Sequence, residues 1–268
     1  MITRLPDEFC CVDMHNHVDA GPNGKLDRAK AQALLDGAAR LGIMKIGVSR
    51  PLHDEIVSPD EFRRRNDLVI EAMAMSERFI GFCFVDPHFP EEAVAEVERC
   101  IVGNGMAGIK LYHQFFICDD AQKPLMDKAA ELGVPILMHA GKCTDPATIA
   151  AQPRLSHAGH FLEALAKFPG TMLIQAHIGG GGDWEWNLRT LEGVASDNYY
   201  IDISGSVIDP GIVRRTIEAV GVDRVLFATD MSLEEGVGKL LAAKPTREEF
   251  MKICSGNWNR IVSHRRVK

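Results

Sequence analysis

The stretch "ELGVPILMH", residues 131–139, carries the chain from the end of a predicted helix into a buried strand. Its third residue, Gly133, lacks a Cβ and therefore suits the left-handed conformation that commonly ends a helix. The apolar run that follows predicts a strand. The same arrangement occurs in "RLGIMKIGV" (40–48) and "AVGVDRVLF" (219–227), again with glycine in third place. A helix followed by a buried strand is thus a unit that the chain repeats.

Short apolar or β-branched runs of this kind are spread over the whole chain. The eight runs are "CCVDMHNHV" (10–18), "MKIGVS" (44–49), "FIGFCFVDP" (79–87), "MAGIKLY" (106–112), "PILMHAG" (135–141), "TMLIQAHIGG" (171–180), "YYIDISG" (199–205) and "RVLFATD" (224–230). Most of them are almost continuously apolar, as expected for parallel strands that are covered on both faces.

Segments with the 3.6-residue periodicity of helices lie between these runs. In residues 26–41 the apolar side chains fall on one stripe, as in an amphipathic helix. Ser58 is placed to cap the next helix, with Pro59 at its first position. Residues 90–101 and 123–132 show the same periodicity.

Alternating strands and helices over about 250 residues have the length and order of a (β/α)8 barrel, or TIM barrel, of the α/β class. An open, doubly wound sheet is the alternative. It favours a glycine-rich turn after the first strand, where this chain has histidines. No linker-like or low-complexity stretch divides the sequence, so we predict a single domain over residues 1–268.

Charge and composition disfavour several classes of function. The 268 residues include 30 basic and 37 acidic side chains, a net charge of −7, whereas nucleic-acid binding requires a basic surface. No apolar run reaches the roughly 18 residues of a membrane span, and "MITRLPDEFCC" lacks the apolar core of a signal peptide. Seven cysteines without a CxxC spacing are typical of free thiols in a reducing compartment. We expect a cytoplasmic protein whose partner is a small molecule, not nucleic acid or a membrane.

Histidine, aspartate and lysine recur where the predicted strands end. In a barrel the carboxyl ends of all strands open onto one face, and active sites lie there. These residues are His15 and His17 of the first strand, Lys110 of the fourth, His139 of the fifth, His177 of the sixth and Asp230 of the eighth. Residues two apart on a strand point the same way, so His15 and His17 are expected to reach one ion.

A single histidine at a strand end is ordinarily a hydrogen-bonded structural residue. Several ligand-type residues at one rim are a different case, because burying them without a cation leaves polar groups unpaired. Imidazole and carboxylate ligands suit zinc, and also manganese or iron. The sequence therefore predicts a divalent metal. A barrel that binds a ligand without metal or chemistry is the alternative from another functional class.

Several motifs together resemble the amidohydrolase superfamily. They are "HNH" (15–17), "GIKLY" (108–112), "MHAG" (138–141), "QAHIGG" (175–180), "FATD" (227–230) and "GNWNRI" (256–261). Their order and spacing cover nearly the whole chain. The sequence is most similar to the amidohydrolase-related group, which holds hydrolases and lactonases together with metal-dependent decarboxylases such as aminocarboxymuconate semialdehyde decarboxylase.

The resemblance implies a role for each matching position. The implied metal ligands are His15, His17, His139 and Asp230. His177 is implied as a ligand of a second metal or, in one-metal members, as a base and electrostatic partner of the catalytic water. Lys110 is implied as a carboxylated bridge in two-metal members, or as an unmodified lysine. We favour one metal, zinc before manganese or iron, and the resemblance adds a homodimer as an alternative to a monomer.

The expected reaction is hydrolysis of an amide, ester or lactone by a metal-activated water. Asp230 would take the proton and His177 would orient the water. The alternative is non-oxidative decarboxylation of a small unsaturated or aromatic acid, because both reactions use the same ligands.

Further residues are expected around the substrate. The substrate-binding candidates are Arg50, Lys110, Tyr112 and Trp184, the last in the glycine-rich stretch "GGGGDWEW" (179–186). Asp202 and Ser204 are expected to support the site from the seventh strand. His53 and His88 are weaker candidates for the rim, and His157 and His160 are expected on a solvated helix face.

Overall fold

Parallel strands form one sheet in which each strand pairs with the next along the chain. The computed structural model describes residues 4–52, 54–178, 182–205, 209 and 211–267. Within them the strands are β1 (Cys11–His17), β2 (Ile43–Ser49), β3 (Phe79–Phe84), β4 (Gly108–Leu111), β5 (Ile136–Met138), β6 (Leu173–Gln175), β7 (Tyr199–Asp202) and β8 (Val225–Leu226). They pair in the order β1 to β8.

Helices connect successive strands and form the outer layer. They are α1 (Arg28–Arg40), α2 (Pro59–Met75), α3 (Pro90–Ile101), α4 (Lys123–Leu132), α5 (Pro146–Ala151), α6 (Ala158–Lys167), α7 (Trp184–Leu191), α8 (Ile212–Val220), α9 (Leu233–Ala242), α10 (Arg247–Met251) and α11 (Asn257–Ser263). The predicted bounds of α3 and α4 agree with the structure. None of the helices in the described part of the chain is both long and apolar enough to cross a membrane.

Two of the three glycines of the repeated junction have the predicted positive φ and require glycine, whereas Gly221, with φ 80° and ψ 143°, lies outside the left-handed helical region. Gly42 and Gly133 have φ values of 81° and 65°. A Cβ at Gly42 would lie 2.1 Å from the carbonyl oxygen of Leu5, and one at Gly133 would lie 2.0 Å from that of His264. Both contacts are far too short, so these turns require glycine for space as well as for conformation.

Bonds between β1 and the segment after β8 close the ring. The amide of Met14 donates to the carbonyl of Phe227 at 3.0 Å, and the amide of Asp230 donates to the carbonyl of His15 at 2.8 Å. The carboxylate of Asp13 accepts bonds from the amide and the hydroxyl of Thr229, at 3.0 and 2.6 Å. The prediction of a (β/α)8 barrel is confirmed, and the open-sheet alternative is wrong.

The barrel interior is packed, and the motif "GNWNRI" closes its amino-terminal end. Trp258 packs against Phe82, with ring centroids 6.1 Å apart. The Asn257 side chain donates to the carbonyls of Val222 and Val225, both at 2.8 Å, and so ties α11 to the start of β8. This motif is therefore structural, and the functional groups lie at the opposite, carboxyl-terminal rim.

Candidate metal centre

Asp230 lies at the centre of a cluster of histidines at the carboxyl-terminal rim. Its Oδ1 atom is 3.0 Å from Nε2 of His17 and 3.7 Å from Nε2 of His15. Its Oδ2 atom is 3.8 Å from Nε2 of His177. Side chains that are more than 200 residues apart in sequence therefore meet as predicted.

His139 joins this cluster through His177. The Nδ1 atom of His139 is 3.0 Å from Nε2 of His177. Its other ring nitrogen, Nε2, lies 3.1 Å from Oε1 of Gln152, the residue after α5. If Nε2 donates to that oxygen, the lone pair of Nδ1 faces the cluster. Sequence reasoning missed Gln152, since a glutamine at the end of a short helix carries no motif.

The backbone leaves the sheet to present two of these side chains. His177 and Asp230 have φ values of 62° and 46°, in the left-handed region that non-glycine residues adopt at a cost of about 1–3 kcal/mol. Hydrogen bonds from both amides hold them there: His177 donates to Asp202 at 2.9 Å and Asp230 donates to His15 at 2.8 Å. The predicted strands 171–180 and 224–230 are correspondingly too long, because pairing stops at Gln175 and Leu226.

Asp202 supports the cluster from behind, together with Ser204. Its Oδ2 atom accepts a bond of 3.1 Å from Nδ1 of His15, which leaves Nε2 of His15 facing Asp230. Its Oδ1 atom accepts bonds from the amide and hydroxyl of Ser204, at 3.0 and 2.6 Å. Ser204 Oγ also lies 2.9 Å from Nδ1 of His177. Asp202 lies close enough to His15 and His177 to resemble a ligand, but these bonds make it a supporting residue.

The protonation states of the cluster are those that a metal needs. Burial lowers the pKa of His17 and of His177 to about 4, so both rings are neutral near pH 7. Burial opposes ionisation of Asp230, but the facing His15, His17 and His177 rings outweigh it and hold its pKa well below the ordinary range. Burial likewise opposes ionisation of Asp202, yet its bond with His15 brings the pKa to about 2. Neutral imidazoles and ionised carboxylates are metal ligands.

The spacing of these atoms fits a divalent cation. Nitrogen and oxygen ligands bind zinc at about 2.0–2.2 Å, which places neighbouring ligand atoms roughly 3–4 Å apart. One ligand atom from each of His15, His17 and Asp230 lies within 4.8 Å of the others. The donor set therefore fits a metal.

Lys110 lies inside the cluster, although it was predicted to bind substrate. The side chain is fully buried, with Nζ 2.9 Å from Nε2 of His15. Burial lowers the pKa of Lys110 to about 8, while Asp230 and Asp202 favour its charged form. Its ammonium group therefore lies against the Nε2 atom of His15, among the proposed metal ligands. That Lys110 binds substrate stays a prediction.

A cavity of about 230 Å³ lies beside the cluster. Its lining includes His139, Gln152, His177, Thr229, Asp230 and Ser232. Tyr112 stacks on the ring of His139 with centroids 4.2 Å apart, and burial raises its pKa well above the usual range. Tyr112 therefore fixes a ligand ring in the wall.

The described residues that line this cavity do not include Arg50 or Trp184. Arg50 forms an ion pair with Asp19 at 3.0 Å. Trp184 is buried at the start of α7, with its ring 4.7 Å from the guanidinium of Arg215. That it covers the substrate stays a prediction. His88 pairs with Asp86 outside the cluster. His53 and residues 179–181 lie outside the described residues.

The family model for amidohydrolases matches residues 12–260, a span that contains the whole cluster. The chain belongs to the amidohydrolase family. Among curated proteins, this amidohydrolase is similar to a gamma-resorcylate decarboxylase from Polaromonas sp. (strain JS666), with 24% identity over 220 residues. The match covers 64% of this chain, and the chain spans 66% of the length of that relative.

Two solved structures resemble this amidohydrolase over nearly its whole length. The 2,6-dihydroxybenzoate decarboxylase from Rhizobium has a TM-score of 0.74 at 18% identity, covering 94% of this chain and 98% of that chain. A dihydroxybenzoic acid decarboxylase from Polaromonas sp. JS666, with bound manganese and the inhibitor 2-nitroresorcinol, has a TM-score of 0.71 at 18% identity, with coverage of 94% and 96%. At this identity the likeness shows a shared fold.

Proposed function

We propose that this amidohydrolase is a metal-dependent, non-oxidative decarboxylase of a small aromatic or unsaturated acid. The observation that carries the proposal is the sequence similarity to gamma-resorcylate decarboxylase. The sequence alone favoured hydrolysis over decarboxylation. With this similarity, decarboxylation becomes the first candidate, and hydrolysis of an amide, ester or lactone becomes the second.

The metal is part of the proposal. His15, His17, His139 and Asp230 would hold one divalent cation, with a second at His177 and Lys110 as the less favoured arrangement. When bound, the cation would supply a Lewis acid that holds the substrate carboxylate and stabilises negative charge in the transition state. Zinc suits these ligands, and manganese is bound in a similar decarboxylase. Both ions therefore belong in the test.

Asp230 and His177 are proposed to handle the proton. Decarboxylation breaks the bond between the carboxylate carbon and its neighbour, leaves the electron pair on that neighbour, and requires a proton there. Asp230 is a weak base in the free protein, because its pKa lies well below the ordinary range. It would therefore hold a proton only transiently, collecting it from substrate or solvent and passing it to carbon. Neutral His177, 3.8 Å away, would steady the carboxylate during this transfer.

The cavity sets the size of the substrate. Its volume of about 230 Å³ is below the ~300–1,000 Å³ of pockets for drug-sized ligands, so it suits a single-ring acid. Arg50 remains a proposed partner for a substrate carboxylate, on the condition that it exchanges Asp19 for the substrate.

An isotope experiment separates the two candidate reactions. Protein loaded with zinc or manganese is offered hydroxylated benzoic acids, lactones and amides, in D2O and in H2¹⁸O. A decarboxylase releases carbon dioxide, places one deuterium on the carbon that lost the carboxylate, and incorporates no solvent oxygen into the organic product. If instead the product carries one solvent oxygen and the reaction releases no carbon dioxide, the enzyme is a hydrolase.

The proposal keeps the remaining expectations from the sequence. The enzyme would act on a small molecule in the cytoplasm as a single domain, and as a homodimer. Light scattering on the purified protein tests the last point, and a monomeric mass would remove the dimer from the proposal.

A further inference from the structure

A second cleft adjoins the cavity beside the candidate metal centre. It has a volume of about 330 Å³. Three residues line both spaces: Cys143, Gln152 and Leu155. At most, a single layer of side chains therefore separates the cleft from the cavity. Together they fall within the ~300–1,000 Å³ range of small-molecule sites. A ligand held at the metal centre is therefore able to extend into the cleft.

Lys142 gives the cleft a positive charge. Among the described residues that line it, Lys142 carries the only formal charge at neutral pH. Its ammonium nitrogen lies 4.7 Å from the centroid of the Trp186 ring, and the described residues give it no carboxylate partner. A cation–π contact holds an ammonium group in place without neutralising it. Lys142 is thus positioned and still able to pair with an anion.

Flat, uncharged rings form much of the rest of the cleft. The rings of His157 and His160 stack with centroids 3.8 Å apart, and Phe116 lies 4.2 Å from His160. Burial lowers the pKa of His157 to about 4 and lowers that of His160, so both rings are neutral at pH 7. The prediction that these two histidines lie on a solvated helix face is wrong. They are half-buried and suit a flat organic body.

The end of β5 connects the two sites. His139, a proposed metal ligand, and Lys142 are separated by two residues of the same loop. A substrate carboxylate at the metal and an anionic group at Lys142 would therefore be recognised by one short segment of the chain. An ammonium–carboxylate pair in a partly dehydrated cleft is stronger than one in open solvent.

We propose that the cleft is a second subsite of the catalytic pocket, in which Lys142 binds a second carboxylate of an aromatic or unsaturated diacid. The inference rests on the proposed function, and it narrows the substrate class from acids in general to dicarboxylic acids.

Binding measurements test the subsite without turnover. Isophthalate, a benzene ring with two carboxylates, and benzoate, with one, are titrated calorimetrically into metal-loaded protein. Isophthalate is expected to bind at least tenfold more tightly than benzoate, a difference of about 1.4 kcal/mol. Lys142→Gln should remove that preference and leave benzoate affinity unchanged within twofold, while Lys142→Arg should retain most of it.

Lys45→Gln is the matched control. It removes the same charge from an exposed position at the amino-terminal end of the barrel, near the start of β2. Preference for isophthalate should therefore survive in Lys45→Gln. The subsite is overturned if the wild-type protein binds both acids equally, or if the Lys142→Gln and Lys45→Gln proteins behave alike.

Turnover distinguishes failure of the subsite from failure of the proposed function. An active decarboxylase with the same KM for mono- and diacids in wild type and Lys142→Gln would overturn the subsite alone. A different outcome is that isophthalate binds in a Lys142-dependent way but no acid tested releases carbon dioxide. That result would overturn the proposed reaction and support the cleft as a diacid site. With both ideas correct, Lys142→Gln raises the KM of diacids about tenfold and leaves kcat within twofold.

Discussion

Asp202 determines which nitrogen of His15 faces the candidate metal centre. It accepts from Nδ1 at 3.1 Å and so leaves Nε2 free of a ring proton. Asp202→Asn replaces the acceptor with an amide that pairs with His15 less strongly. We expect metal affinity to fall about 10–100-fold, as for other residues that orient metal-bound histidines. Competition with a coloured chelator measures the change.

Asp197→Asn is the control for that substitution. Asp197 is exposed and lies two residues before β7, so the variant removes the same charge far from the cluster. Its metal affinity should equal that of the wild type. If Asp202→Asn also binds metal as tightly as the wild type, with the fold intact by circular dichroism, Asp202 does not orient His15.

His177 makes the stability of the metal-free protein depend on pH. Burial lowers its pKa in the folded state to about 4, from roughly 6.5 when unfolded. Between these values the unfolded chain binds more protons, so the free energy of unfolding falls as pH falls from 6.5 to 4. In His177→Gln this proton is absent from the balance. The slope of the free energy of unfolding against pH should therefore fall by about 1.4 kcal/mol per pH unit over that window. Urea unfolding at pH 6.5, 5.5 and 4.5 gives the slope.

The control for this experiment is His264→Gln. His264 is exposed after α11, so its substitution should leave the slope unchanged. Other buried groups, including Asp13, whose pKa burial raises to about 7, act in wild type and variant alike and cancel in the difference. Equal slopes for wild type and His177→Gln would mean that the ring is not held neutral in the fold.

The residue types at strand ends were enough to predict the histidine cluster. The sequence did not, however, predict which way side chains on the helices point. Trp184 and Trp186 are two positions apart, which places them on different faces of a helix. The sequence does not define where α7 begins, and the structure buries Trp184 while placing Trp186 against Lys142. Gln152 was unpredictable for a similar reason, since its contact with His139 depends on the position of α5.

Strand ends were the least predictable elements. The run 171–180 predicted a longer strand than β6, because Ala176 and Ile178 are buried although they lie beyond the paired residues. Hydrophobic pattern reports burial and not backbone pairing. β1 has a related irregularity: the four residues from Asp13 to Asn16 lie opposite only three β2 residues, so the register shifts between Asp13 and Asn16. Such bulges re-aim side chains and leave no clear signal in sequence.

The bonds between β1 and the segment after β8 are expected to stabilise the barrel. The Thr229 hydroxyl donates to the buried Asp13 carboxylate at 2.6 Å. Thr229→Val keeps the shape and removes this donor, so an acceptor is left short of a partner in the interior. We expect a loss of about 1–3 kcal/mol in the free energy of unfolding, measured by urea denaturation.

Thr216→Val is the matched control for the closure of the barrel. Thr216 is also buried, but its hydroxyl donates to the carbonyl of Ile212 within α8 and takes no part in the bonds between β1 and the segment after β8. Its substitution should cost less than that of Thr229. Equal losses in the two variants would show that the bond to Asp13 has no special part in closing the ring.

At the scale of the whole molecule, the proposed ligands join distant parts of the chain. They come from β1 and from the segments after β5 and β8, so one cation would link the first strand of the barrel to the last. A metal that binds the folded protein and not the unfolded chain stabilises it by mass action, about 4.1 kcal/mol at a free concentration of 1,000 Kd. Removing it with a chelator should therefore lower Tm by roughly 10 °C for a chain of this size.

Differential scanning calorimetry with zinc, with manganese and with chelator measures this shift. Asp230→Asn is the informative variant, because it removes the carboxylate that contacts His15, His17 and His177 at once. Its Tm should respond to metal much less than that of the wild type, whatever its Tm without metal. A wild-type Tm that is the same with metal and with chelator, or an equal metal response in Asp230→Asn, would contradict a cation at this site. Since the ligands converge only when β1 and β8 have met, the response also reports closure of the barrel.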